Sequence, residues 1–244
     1  MASLRAPGLG PIVGHTTDTT CRIWIRGGDP ADSKADLDKD RRTVGVIGIV
    51  RNGKIAPTEA WYFRLQREFD RTGTFTLGSD RQLGWYPSDF KDEGKKEPAK
   101  LPKGMASDKL TPDTVYTVRV GTLTIDDPLP DAETMPDWKL RDRLPNIEVI
   151  KDELLTLKEG ESEAFFRTFP KSGQIAGDMS FLLGSCRFPG VLWKIKEADR
   201  IFAPICEHFV ATKQRDAARF IMMCGDQIYA DTLNKNVPLL RVSA

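Results

Sequence analysis

Cys186, Asp226 and Tyr229 are the residues of this sequence whose types and spacing could do chemistry. They offer a thiol, a carboxyl and a phenol. Each is an anionic ligand once deprotonated, and a strongly Lewis-acidic metal depresses the pKa of all three. An Asp can also bridge two cations with its two oxygens. Asp231 is a further acidic group just beyond Tyr229. Taken singly, each has a plainer role: Cys186 as a small hydrophobe after a strand, Gly225-Asp226 as a turn, Tyr229 as a packed aromatic. Their conjunction is what points to a metal, and no catalytic residue is expected beyond these metal ligands.

Other chemistries find little support. The chain has only two histidines and four cysteines, and hydrolytic metal sites usually draw several ligands from His. Cys21, Cys186, Cys206 and Cys224 form no CxxC pair, so neither a zinc knuckle nor a disulfide framework is indicated. Reduced thiols in a cytoplasmic protein are expected. Cys206 and His208 fall on or beside a helical stripe and read as packing or solvated residues. Cys224 falls inside an apolar run and reads as core, while His15 has no obvious partner. There is no Gly-Lys-Ser/Thr phosphate loop, and GLGPIVG does not match the dinucleotide fingerprint. Gly184-Ser185-Cys186 lacks the Gly-x-Ser-x-Gly elbow. A Cys186–His208 nucleophile pair would need the helix folded back over the strand end.

The elements that must position these groups can be read from periodicity. Met179–Cys186 is a continuous apolar run, as for a strand buried on both faces. Ala198, Ile201, Phe202, Ile205 and Phe209 recur at helical spacing. Pro204 interrupts that stripe and implies a kink or two abutting helices. Arg219–Cys224 is a second apolar run, ending in Gly225-Asp226. Strand, helix, strand is a βαβ unit with parallel strands. In such sheets the functional crevice lies beyond the carboxyl ends of the strands, which is where Cys186 and Asp226 fall. Tyr229, three positions on, can turn back to the same mouth.

The first two-thirds of the chain reads as β. Residues 20–26 alternate, with Cys21, Ile23 and Ile25 on one face. Residues 43–50 form an apolar run before Asn52-Gly53, a hairpin signal. Strand-like runs recur at 59–65, 73–77, 115–123 and 163–169, which together predict a β-sandwich. Tyr116 follows the Thr111-Pro112-Asp113 turn, where its hydroxyl can bond back to the turn in a tyrosine corner. Residues 86–109 read as a long surface loop, and 126–160 as a connection with little regular structure. The expected division is a sandwich at 1–170, a linker at 171–178 and the βαβ unit at 179–244.

Composition bounds the partners. With 36 Lys plus Arg against 35 Asp plus Glu, the net charge of +1 removes the electrostatic drive of nucleic-acid binders. No apolar run approaches the roughly 18–20 residues of a membrane span. Pro7 and Pro11 break the N-terminal segment, which supplies no secretory core.

"FLLGSCR" at 181–187 followed by "MCGDQIYAD" at 223–231 resembles the opening of the catalytic domain of the alkaline phosphatase D (PhoD-like) metallophosphatases. "GPIVGHTTDTTCRIWIRG" (10–27), "LTPDTVYTVRVG" (110–121) and "FFRTFP" (165–170) are similar to that family's N-terminal immunoglobulin/fibronectin-like domain. The resemblance implies hydrolysis of a phosphate ester by a cluster of ferric iron (Fe3+) and calcium (Ca2+). It makes Cys186 and Tyr229 iron ligands and Asp226 the carboxylate shared by both cations. The family's catalytic domain runs longer, so the expectation is the truncated start of an α/β metallophosphatase domain, with an incomplete site and unpaired sheet edges open to self-association. The rival expectation is a non-catalytic β-sandwich that acts as a binding or interaction module.

Overall fold

In Cys21–Arg26, Cys21, Ile23 and Ile25 are fully buried while Arg22 faces solvent, so the alternation read from sequence is the alternation of the fold. The structure, a computed structural model, describes residues 2–28, 42–65, 69–79, 107–125, 144–174, 180–185, 200–211 and 218–225. The chain divides into two compact units, Met1–Gln174 and Ile175–Ala244, a division that falls inside the 171–178 segment.

The first unit contains β1 (Ala2–Arg5), β2 (Leu9–Thr16), β3 (Cys21–Arg26), β4 (Arg42–Arg51), β5 (Lys54–Arg64), β6 (Thr72–Leu77) and β7 (Val115–Ile125). Helices α1 (Ile147–Thr156) and α2 (Glu159–Ser162) and strand β8 (Glu163–Arg167) follow among the described residues. One antiparallel sheet has the order β1-β7-β4-β5, and β8 also pairs with β7. The first half of β7 pairs with β8 and its second half with β1, so these two short strands share one edge. The other sheet has the order β2-β3-β6. Asn52 and Gly53, with φ of 51° and 73°, make the tight turn between β4 and β5 that their types predict.

The inner faces of the two sheets meet in one core. Ile23, Ile25 and Leu77 of the three-stranded sheet join Ile47, Val118 and Val120 of the larger one. Phe75 of β6 lies 5.5 Å from the Trp61 ring and 5.6 Å from the Phe63 ring, both of β5. The arrangement is compatible with a β-sandwich. Gly45 of β4 sits directly under Phe63, and a Cβ there would lie 2.3 Å from the ring. The missing side chain is what lets the aromatic lie across the strand. Before β7, Asp113 adopts a left-handed φ of 50°, and its carboxylate accepts two bonds from Arg167 of β8 at 3.0 and 3.1 Å.

Residues 126–160, expected to be irregular, contain α1. Pro145 precedes the N-cap, and Asn146 Oδ1 accepts from the Glu148 N–H at 3.0 Å. Ile150 and Leu154 then pack on Val44, Val46, Ala60 and Leu123, which covers the outer face of the larger sheet. Its fate was decided by that long-range burial rather than by local composition. Strands β1 and β2 also went unread. Of the expected loop at 86–109, residues 86–106 lie outside the described residues, and 107–109 belong to no helix or strand.

The second unit contains β9 (Leu182–Gly184), α3 (Phe202–Ala211) and β10 (Ile221–Met223). β9 and β10 pair in parallel, with Leu182 opposite Ile221 and Gly184 opposite Met223, as strand, helix, strand requires. The expectation of a strand buried on both faces fails: Phe181, Leu183, Ile221, Met222 and Met223 are all exposed. Pro204 falls inside the continuous helix α3, and Ala198 lies outside the described residues. The proline lies in the helix's first turn, where its missing N–H removes no intrahelical bond, and Ile205 N donates to Ile201 O at 3.2 Å. Among the described residues no helix is long and apolar enough to cross a membrane.

Candidate functional site

The strands that lead to the candidate ligands are fixed by their ladder. Arg219 N donates to Ser180 O at 2.9 Å, Leu182 N to Phe220 O at 3.0 Å, and Cys224 N to Gly184 O at 2.7 Å. The pairing therefore runs to the carboxyl ends of both strands. Ser185 and Gly225 are the residues that leave it, on adjacent strands whose spacing is about 4.8 Å. Gly225 has φ of +116°, a conformation that L side chains rarely adopt, with nothing near enough to obstruct a Cβ. The requirement for glycine there is conformational, not steric.

Cys186, Asp226 and Tyr229, and with them Asp231, lie outside the described residues. What the structure brings together is the backbone one residue before each of the first two. Among the described residues no group of three or more His, Cys, Asp or Glu side chains gathers as a metal would require.

The remaining candidates sort by environment. Cys21 is fully buried in the first unit's core, where the Thr16 hydroxyl donates to its Sγ at 3.3 Å. Burial pushes its thiol up to about 12, with the Thr16 bond pulling the other way. Cys206 is exposed on α3, in keeping with a solvated residue. Cys224 is exposed too, which corrects its expected place in a core. The cause is that β10, from Ile221 to Met223, has neither face covered. His15 is exposed on β2, and His208 lies within α3.

Sequence reasoning missed Arg119. It is a buried cation in β7, on the strand face opposite Tyr116, Val118 and Val120. Its guanidinium donates to Leu157 O at 2.9 Å, Ser162 Oγ at 3.0 Å and Glu159 Oε1 at 3.0 Å, and Glu163 lies 3.4 Å away. These bonds fasten the connection from α1 through α2 to the sheet. The signal was a charge within an apolar strand, but nothing nearby in sequence says that a helix pair covers that face. Its donors are engaged by the fold itself, so its role is structural.

Comparison of the chain with protein-family models, with curated proteins and with solved structures finds no match.

Proposed function

We propose that the chain carries one side of a metal-dependent phosphoester hydrolase site of the alkaline phosphatase D type, preceded by an immunoglobulin/fibronectin-like sandwich. The observation that carries this reading is the parallel pairing of β9 and β10, whose ladder ends immediately before Ser185-Cys186 and Gly225-Asp226. Topology of this kind favours a ligand site beyond the carboxyl ends. The Tyr116 hydroxyl, bonded back to the turn before β7, supports the immunoglobulin-like part.

The donor set fits the cations that the resemblance implies. A thiolate from Cys186 and a phenolate from Tyr229 suit ferric iron, and the Asp226 carboxylate has a second oxygen for calcium, which prefers oxygen ligands. When bound, the cations would supply electrostatic stabilisation to the phosphoryl group of a phosphate ester during in-line displacement. In this reading Gly225 turns the chain out of β10 so that Asp226 follows at the crevice. The sequence has only two histidines, so weak or absent turnover is expected from these residues alone. Among the described residues β9 and β10 pair only with each other, and edges left open in this way would give a route to self-association. A cytoplasmic location accompanies the reading, since four cysteines without paired spacing suit reduced thiols.

Ferric iron titrated into the purified 244-residue protein tests the assignment. A visible phenolate-to-iron charge-transfer band is expected, abolished by Tyr229→Phe. It should weaken in Cys186→Ser, because a hydroxyl is far harder to deprotonate than a thiol. Asp226→Asn should lower iron and calcium retention together, while Cys224→Ser leaves the band intact. A band lost in Cys224→Ser and kept in Cys186→Ser would show that the wrong cysteine is assigned. No band and no bound iron in the parent protein would favour the non-catalytic binding module instead.

A further inference from the structure

We draw no further inference here: the strongest candidate, the outer face of the β2-β3-β6 sheet where exposed Leu9 and Ile12 border half-buried Trp24 and exposed Arg22, carries nothing because nothing in the structure shows what covers it.

Discussion

The Tyr116 ring is buried and stacks on Phe166 of β8 at 5.5 Å, and its hydroxyl accepts from the Thr111 N–H at 2.8 Å. One side chain thus ties a core position to the turn that launches β7. Tyr116→Phe keeps the ring and removes only the acceptor, so Thr111 loses its partner at a partly buried position. The expected cost is about 1–2 kcal/mol, read as a lower urea midpoint with an unchanged slope; an unchanged midpoint would mean that water replaces the hydroxyl without penalty. The thiols divide just as sharply. With its pKa pushed up to about 12 and no exposure, Cys21 is almost wholly protonated at pH 8 and shielded from reagents. Cys206 and Cys224 are exposed. A thiol-reactive probe at pH 8 should therefore modify both in the native protein and reach Cys21 only after denaturant is added. Native labelling of Cys21 would show that the core around Thr16 opens readily.

At the scale of elements, what could be read in advance was whatever announces itself locally. β3 alternates, the β4–β5 hairpin carries Asn-Gly, and β7 follows a Pro-Asp turn, so each was legible from its own residues. α1 was not, since the prolines at 128, 130, 136 and 145 disguise a segment whose helix is held by Ile150 and Leu154 against a distant sheet. β2 was hidden by Pro11 and by two irregularities in its pairing with β3. Of the region around the candidate site, the parallel pairing of β9 and β10 was legible, and its ladder stops just before Ser185 and Gly225; Cys186, Asp226 and Tyr229 themselves lie outside the described residues. Glycines offer a test of how tightly these elements fit. Gly45→Ala would place a methyl carbon 2.3 Å from the Phe63 ring, which forces β4 and β5 apart at an expected cost of about 1–3 kcal/mol. Gly160→Ala, in α2 with nothing within 4 Å, should instead be neutral or stabilise by up to about 1 kcal/mol. Thermal unfolding of the two variants separates the cases, and equal melting temperatures would refute the packing argument for Gly45.

The two units of the molecule differ in what holds each of them. In Met1–Gln174, the eight described strands form two antiparallel sheets that share a core, and α1 seals a second cluster on the outer side. In Ile175–Ala244, the described strands pair over only three residues each, and among the described side chains none is buried. Backbone hydrogen bonds persist against exchange when opening them must expose apolar surface; a short ladder between uncovered faces has no such penalty. Amide exchange should therefore find its slowest protons at Ile23, Ile47, Val118 and their neighbours, with protection close to that of global unfolding. The amides of Leu182 and Cys224, although bonded to Phe220 O and Gly184 O, should exchange orders of magnitude faster. If Leu182 and Cys224 proved as protected as Val118 in a monomeric sample, the stability of the second unit would have to arise from structure beyond the described strands, and the contrast drawn from burial would fail.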